Sequence, residues 1–247
     1  MKILAIDTSG QVAGCALLED GRLLSEYNSL SSASALRKTH SQTLMPMLES
    51  LRDQTELDLH TLDAIAVTAG PGSFTGLRIG AATAKGLGLA LEKPVIAVPT
   101  LEALAFGVWT AGGDNALICP VMDARRRQVY TAAYTWKRNS ALPEVLMEGC
   151  AVDIRELAER LNEEGREVVF AGDGVAVYSA EISELLAVPF CFAPPHMLLQ
   201  RAGAVAAAAA AHFEAEKEAC LISAADFRPV YLRKSQAERE REANGGE

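Results

Sequence analysis

One stretch of the chain, residues 66–91, restricts the fold more than any other. It reads AVTAGPGSFTGLRIGAATAKGLGLAL, which predicts a short apolar strand, a break at Gly70-Pro71-Gly72 and then a helix. Along that helix small residues recur every four positions, at Gly76, Gly80, Ala84 and Gly88. A glycine-rich turn between a strand and a helix is typical of phosphate sites, whereas small residues on one helix face allow another element to approach closely. The stretch therefore predicts either a phosphate site or a surface for close packing.

The turn lacks the groups that a phosphate loop requires. Leu77 and Arg78 occupy the positions where a P-loop has its lysine and its Mg²⁺-binding hydroxyl. A dinucleotide site is not favoured either, because no acidic residue follows the next predicted strand, residues 94–98, to hold a ribose. Each glycine inside a helix costs about 1 kcal/mol relative to alanine, so close packing must offset that cost. The packing partner is either the helix's own sheet or a helix of another chain, and the sequence leaves both open.

Strand and helix patterns follow the same order in both halves of the chain. Three strands open the first half, and helices and strands then alternate, which gives βββαβαβα up to residue 109. The second half repeats this order from residue 117 to residue 218. A repeated order indicates duplication, with a cleft between the two halves. We therefore expect an α/β fold made of two duplicated βββαβαβα domains.

The expected domain boundaries follow from the loops. Residues 110–115, TAGGDN, are the best linker, so we expect an N-terminal domain at residues 1–109 and a C-terminal domain at residues 110–234. The last predicted helix, residues 195–218, is long and rich in alanine, and we expect it to pack back on the first domain. Residues 235–247 are charged and end in Gly-Gly-Glu, which predicts a disordered tail.

The overall charge restricts the partners of the chain. Of its 247 residues, 32 are acidic and 23 are basic, which gives a net charge of −9. No basic stripe is interleaved with aromatic residues, so the chain alone should not bind nucleic acid strongly, and a role at RNA requires a partner. No apolar run has the length of a membrane span or the pattern of a signal peptide, and the five cysteines are scattered as in reduced cytosolic proteins. These features predict a cytoplasmic protein.

Two turns are candidates for a nucleotide site. Asp7-Thr8-Ser9 follows the first strand, and Gly172-Asp173-Gly174 follows a strand of the second half. The doubled strand order is similar to that of the actin, sugar-kinase and Hsp70 superfamily, in which the first of these turns holds phosphate and its aspartate binds the Mg²⁺ of a nucleotide. No lysine or arginine lies in or beside the first turn to pair with phosphate. A structural hairpin, in which Asp7 accepts backbone hydrogen bonds, is therefore the alternative.

The sequence predicts no catalytic and no metal-binding residues. None of the four histidines has a partner at ligand spacing, and neither a G-x-S-x-G elbow nor a cysteine in an electropositive setting is present. The densest cationic segment is Arg125-Arg126-Arg127 beside Asp123. It is either an anion site or a solvated hairpin tip.

Five segments together resemble the bacterial TsaB family, also called YeaZ. They are ILAIDTS (residues 3–9), THSQTLMP (39–46), GPGSFTGLRIG (70–80), DARRRQVY (123–130) and PVYLR (229–233). The resemblance implies an actin-like ATPase fold of the ASKHA, ribonuclease H-like class. It also implies a non-catalytic subunit that binds and activates TsaD, together with the ATPase TsaE, in making N6-threonylcarbamoyladenosine (t6A) beside the anticodon of ANN-reading tRNAs. The alternative is an independent ATP-binding ATPase or kinase of the same fold.

The same resemblance implies a set of partners. We expect a heterodimer with TsaD, association with TsaE, a homodimer in isolation, tRNA contact only through the complex, and no membrane. His40 stands in the helix where TsaD has a two-histidine metal motif, but the second histidine is absent. No metal and no cofactor are therefore expected, beyond weak or vestigial ATP or ADP binding at Asp7, Thr8, Ser9, Gly172 and Gly174.

The expected interface lies on two helices of the first domain. Its predicted residues are Leu36, His40, Leu44, Met47, Leu48, Leu51, Phe74, Leu77, Gly80, Ala81, Ala84 and Gly88. On this interpretation, Gly80→Leu and Ala84→Arg block pairing with TsaD and leave the monomer folded.

Overall fold

Two β-sheets with helices packed on their faces make up the protein. The structure is a computed structural model and describes residues 1–30, 38–111, 115–137 and 140–232. The segment 31–37, which includes Leu36, residues 112–114 of the predicted linker and the predicted tail 235–247 lie outside the described residues. No helix in the described part of the chain is both long enough and apolar enough to cross a membrane.

The first half begins with three strands and continues with alternating helices and strands. Its elements are β1 (Lys2–Asp7), β2 (Val12–Glu19), β3 (Arg22–Leu30), α1 (His40–Thr55), β4 (Ala64–Gly70), α2 (Phe74–Leu91), β5 (Val95–Pro99) and α3 (Thr100–Phe106). Helix α1 begins four residues later than predicted, where Thr39 forms a capping box with Gln42.

The second half repeats this order up to its fifth strand. Its elements are β6 (Leu117–Asp123), β7 (Gln128–Thr135), β8 (Glu144–Asp153), α4 (Ile154–Glu164), β9 (Val168–Ala171), α5 (Gly174–Leu185), β10 (Phe190–Phe192), α6 (Ala202–Glu216) and β11 (Leu221–Ile222). Strand β11 was not predicted, and it pairs with β5 of the first half.

The two sheets have matching topology. Their strand orders are β11-β5-β4-β1-β2-β3 and β10-β9-β6-β7-β8. In the first sheet β1 is antiparallel to β2 and parallel to β4, and in the second β6 is antiparallel to β7 and parallel to β9. The predicted α/β fold of the actin-like class, with its repeated strand order, is therefore confirmed.

Helix α6 comes from the second half but lies on the first sheet. It begins at Ala202 and not at residue 195 as predicted. At this start, side chains of β3 cap the free N–H groups of the helix. The Glu26 carboxylate accepts a hydrogen bond from Gly203 N at 2.7 Å, and Asn28 Oδ1 accepts one from Ala202 N at 3.1 Å. Its buried side chains are mostly alanines, which let the helix lie close to β1 and β2.

The small residues of α2 face the helix's own sheet. A Cβ atom at Gly76 would overlap the carbonyl oxygen of Thr8, and one at Gly80 would lie 2.5 Å from Thr8 Oγ1. At Gly88 it would lie 2.6 Å from Ala224 Cβ, and Ala84 is fully buried. Internal packing therefore explains the stripe, because Gly80, Ala84 and Gly88, which were predicted to contact another chain, are buried within this one.

A cluster of one histidine and two carboxylates links α6 to α3. His212 Nε2 lies 2.6 Å from Glu102 of α3, and its Nδ1 lies 2.9 Å from Glu216, four residues further along α6. The hydrogen bond to Glu102 raises the pKa of His212 to about 9, against the opposing effect of burial. The imidazolium is therefore charged at neutral pH and joins the two helices.

Loss of this charge should weaken the fold in alkaline solution. Because the folded pKa of His212 lies above its unfolded value of about 6.5, the stabilisation is complete below pH ~6.5 and is lost as the pH rises through about 9. We expect His212→Gln to remove this pH dependence, which is on the order of 1 kcal/mol after solvent screening. Urea unfolding between pH 6 and 10 measures it, and His60→Gln, at an exposed histidine, is the control. Equal pH dependence in the wild-type chain and His212→Gln would contradict the assignment.

The packing of α2 changes what substitutions of its glycines should do. Gly80→Leu places a side chain against Thr8 and Val67, so we expect it to destabilise the monomer by at least about 2 kcal/mol. Gly86→Ala is the matched variant, because a Cβ at Gly86 has no neighbour within 4 Å. There the gain in helix propensity should stabilise the chain by up to about 1 kcal/mol. Thermal and urea unfolding measure the stability of both variants. A neutral Gly80→Leu together with a destabilising Gly86→Ala would contradict this assignment of faces.

Candidate functional site

Helices α1 and α2 pack on one face of the first sheet, and an apolar groove lies between α1 and Leu87 of α2. The groove has a volume of about 360 Å³. Leu48, Leu51 and Leu57 form its buried part, and Met45 and Leu87 flank it, with Glu49 and Arg52 at its edge. A groove of this kind takes apolar side chains from a neighbouring helix.

Most residues predicted for a partner interface point inward from these two helices. Those buried against the chain's own sheet are Leu44, Leu77, Gly80, Ala81, Ala84 and Gly88. Leu48 and Leu51 reach the surface only as the floor of the groove, whereas His40, Met47 and Phe74 are half-buried. The predicted set therefore marks the inner side of the two helices. The physical reason is that an apolar helical stripe packs first on the sheet of its own domain.

The solvent-facing residues of the two helices were missed by the sequence prediction. We call Met45, Ala82, Gly86, Leu89 and Ala90 the outer helical face. All five are exposed, and the Met45 and Leu89 side chains are 53% and 58% exposed. One signal could have found this face, because Gly86 lies off the buried stripe and no contact within the chain requires a glycine there.

His40 ties α1 to the turn that follows β1. Its Nε2 lies 2.9 Å from the carbonyl oxygen of Gly10, a distance at which the ring donates a hydrogen bond. Within the described ranges, no group of three or more His, Cys, Asp or Glu residues is placed to hold a metal ion. His40 therefore has a positional role in this structure.

One oxygen of the Asp7 carboxylate holds the turn after β1 together, whereas the other, Oδ2, is buried without a hydrogen-bond partner among the described residues. Asp7 Oδ1 accepts hydrogen bonds from Ser9 N at 2.8 Å, Ser9 Oγ at 2.6 Å and Thr68 Oγ1 at 3.0 Å. Asp7 is fully buried, and this burial raises the pKa of its carboxyl against the effect of the three hydrogen bonds. The three partners of Oδ1 give the carboxyl a structural role in the hairpin.

The start of α2 fills the space beside this turn. Ser73 N donates to the carbonyl oxygen of Ser9 at 2.7 Å, and Thr8 Oγ1 donates to Gly76 O at 2.7 Å. A Cβ at Gly72 would overlap the same Ser9 carbonyl. Thr8 is fully buried and the backbone N–H of Ser9 donates to Asp7, so neither residue offers a free N–H group to a phosphate.

The glycines of the second turn also have a packing role. Gly172 adopts a φ of +107°, and a Cβ there would overlap the carbonyl oxygen of Val121 in β6. At Gly174 a Cβ would lie 2.7 Å from Val121 Cγ1. Close approach of the turn to β6 therefore accounts for both glycines without a nucleotide.

A cleft of about 610 Å³ separates the two halves. Ser9 and Gln11 line it from the first half, and Asp123 and Asp173 line it from the second. Burial raises the pKa of the Asp173 carboxyl, which accepts a hydrogen bond from Asp123 N at 3.2 Å. Among the described lining residues, Arg125 is the one cation, and it pairs with Asp123 at 3.2 Å. This lining does not fit a polyphosphate, which requires several uncommitted donors.

The C-terminal segment reaches the mouth of the cleft. Val230 N donates to Ala69 O at 2.7 Å, and the ring of Tyr231 lies 4.9 Å from that of Phe74 at the start of α2. Phe227 is buried in the core beneath α2. The segment therefore supports α2 from the side opposite to α1.

Comparison with known proteins identifies the family. A protein-family model described as "TsaD: tRNA N6-adenosine threonylcarbamoyltransferase" matches residues 33–241. The chain is 39% identical over 188 residues to the tRNA threonylcarbamoyladenosine biosynthesis protein TsaB of Bacillus subtilis, covering 75% of this chain and 77% of that protein. It is 36% identical over 139 residues to the Escherichia coli protein of the same name, covering 56% of this chain and 57% of that protein.

Solved structures give the same answer. YeaZ from Pseudomonas aeruginosa superimposes with a TM-score of 0.76 at 27% sequence identity, covering 94% of this chain and 99% of that chain. The structural neighbour spans both halves of the fold and the first sequence relative covers 75% of the chain, and on that basis the chain belongs to the TsaB (YeaZ) family.

Proposed function

We propose that this chain is a non-catalytic subunit of the bacterial complex that makes t6A in tRNA. In this role it binds TsaD and, together with TsaE, activates threonylcarbamoyl transfer to the adenosine beside the anticodon of ANN-reading tRNAs in the cytoplasm. Membership of the TsaB family supports the pathway, because the named relatives are t6A biosynthesis proteins. The observation that carries the subunit role is the outer helical face, whose residues are exposed in the described part of the chain.

The chemistry of the outer helical face favours a helical partner. Met45 exposes an apolar side chain at the groove, and Leu89 exposes one on α2. Gly86 and Ala82 leave the surface of α2 low, so a second helix can approach closely. Burial of this apolar surface by a partner is favourable at about 25 cal/mol for each Å² removed from water.

The same face accounts for a homodimer of the isolated chain. Two copies that pair through one patch form a closed two-fold dimer, so the patch is no longer available to TsaD. Homodimer and heterodimer then compete by mass action. TsaD at sufficient concentration displaces the second copy.

The interior of the chain supports a non-catalytic role. Oδ1 of Asp7 accepts hydrogen bonds from Ser9 and Thr68, and the start of α2 packs against the turn that would hold a phosphate. The cleft carboxylates Asp123 and Asp173 are hydrogen-bonded to neighbouring residues. Chemistry in the complex is therefore assigned to TsaD, and ATP hydrolysis to TsaE.

A charge on the outer helical face should block assembly. We expect Leu89→Asp to weaken TsaD binding at least tenfold, which corresponds to about 1.4 kcal/mol, because it removes apolar contact and buries a carboxylate. Val177→Asp is the matched control, since Val177 is equally exposed at 58% but lies on α5. Isothermal titration with TsaD measures both variants, and unfolding curves verify that both remain folded. Equal affinity of the two folded variants would place the interface elsewhere.

The subunit role predicts a specific pattern in reconstituted t6A synthesis. A mixture of TsaD, TsaE, ATP, tRNA and threonylcarbamoyl-adenylate should form t6A over many turnovers only when this chain is added. The chain alone should consume no threonylcarbamoyl-adenylate.

Two variants separate the structural and catalytic explanations of Asp7 in this assay. Asp7→Asn should support full turnover, because the amide oxygen still accepts from Ser9 and Thr68, whereas Leu89→Asp should support little. A folded Asp7→Asn chain that assembles with TsaD but gives no product would overturn the non-catalytic assignment.

A further inference from the structure

The hairpin between β6 and β7 has an unusual tip. Arg125, Arg126 and Arg127 follow one another with φ angles of +65°, +56° and +61°, so all three adopt the left-handed conformation. This conformation is disfavoured for residues with a Cβ, and a tip that only reversed the chain would use glycine, asparagine or aspartate there. All three arginines are exposed. We call these three residues the arginine tip.

The first and third arginines fix the tip in place. Arg125 N donates to Asp123 Oδ1 at 2.8 Å, and its guanidinium lies 3.2 Å from Asp123 Oδ2. Arg127 pairs with Glu181 of α5. The hairpin is closed by Ala124 N donating to Gln128 O at 2.9 Å. The tip is therefore held from both sides.

The middle arginine has no role inside the chain. Across the described ranges, Arg126 makes neither a hydrogen bond nor an ion pair, although its backbone is as strained as that of its neighbours. Strained backbone that persists with an exposed, unpaired side chain points to a contact outside the molecule.

Arginines are concentrated at this tip although the whole protein is acidic. Arg155, at the start of α4, lies 3.6 Å from Glu181 and adds a fourth guanidinium to the tip. The four guanidinium groups balance four nearby carboxylates, Asp123, Glu181, Asp153 and Asp173, in a chain with a net charge of −9. The arginines act at short range, because exposed charges are screened beyond about 8 Å at physiological salt.

We propose that the arginine tip, with Arg126 as its principal contact, binds the phosphodiester backbone of RNA. The inference depends on the proposed function, in which the complex carries tRNA. Guanidinium groups bind phosphate oxygens in pairs of parallel hydrogen bonds, and several of them on one rigid hairpin match the repeated phosphates of a strand. An otherwise acidic subunit thereby contributes a small, oriented cationic contact to RNA bound mainly by its partner.

The test uses the assembled complex and tRNA. Assembly of each variant with TsaD and TsaE is measured first by size-exclusion chromatography, and tRNA affinity is then titrated at several salt concentrations. We expect Arg126→Gln to weaken tRNA binding about three- to tenfold and to reduce the slope of log K against log salt by about 1. Arg22→Gln, at the exposed tip of the β2–β3 hairpin, is the matched control and should change neither quantity.

A second variant separates binding from stability. Arg126→Gly relieves the left-handed backbone, so it should raise the melting temperature of the chain while weakening tRNA binding as Arg126→Gln does. Unchanged affinity and salt slope in both variants would overturn the proposal. So would loss of TsaE from the complex with tRNA binding intact, because the tip would then bind an acidic protein surface.

If the proposed subunit role is wrong, the assembly experiment gives a different result from the one that overturns the RNA contact. A wild-type chain that does not assemble with TsaD contradicts the subunit role but still allows the tip to be tested. In that case the isolated chain is titrated with tRNA at low salt, where Arg126→Gln should lose affinity relative to Arg22→Gln. Equal affinity of these two variants would overturn the proposal in that setting as well.

Discussion

The contact between the first turns of α2 and the end of β1 determines the rest of the structure. Gly76 and Gly80 have no side chains, so the helix backbone lies directly against Thr8. Two hydrogen bonds hold it there, from Thr8 Oγ1 to Gly76 O and from Ser73 N to Ser9 O, each at 2.7 Å. No larger residue fits at these positions without moving the helix or the strand.

This contact decides which side of α2 is available to a partner. The helix covers the turn after β1, which in a nucleotide-binding relative would need free N–H groups for phosphate. The side that packs on Thr8 is thereby used, and the opposite side, with Ala82, Gly86 and Leu89, faces solvent. Closing the turn and exposing the outer helical face are therefore two consequences of one packing arrangement.

The sequence predicted the strand order and the close packing of α2 because both leave local patterns. It could not predict the direction in which α2 packs, because small residues occur on both sides of the helix. Gly80 and Ala84 lie on the buried side, and Ala82 and Gly86 on the exposed side. Helical periodicity separates apolar from polar faces, and it does not rank two faces that are both small and apolar.

The sequence also could not predict contacts between residues that are far apart along the chain. Asp7 is paired with Thr68, 61 residues away, and the free N–H groups of α6 are capped by Glu26 and Asn28 of β3. Such partners become visible only when the strands are in register. The family resemblance predicted an interface on α1 and α2, but its residues were chosen from the apolar stripe, which is the stripe that the sheet buries.

The rigidity of α2 bears directly on how a partner would bind. The helix is held by the sheet on its inner side and by the C-terminal segment at its flank, where Lys85 Nζ donates to Ala225 O at 2.8 Å and Ala224 packs on Gly88. Since the Cβ distances leave no room for the helix to shift inward, the outer helical face would need no rearrangement of α2 to bind the proposed partner. A preorganised surface loses little conformational entropy on association, so a modest apolar area can support a stable complex. The glycines thus contribute to partner binding indirectly, by fixing the position of a surface to which they do not themselves belong.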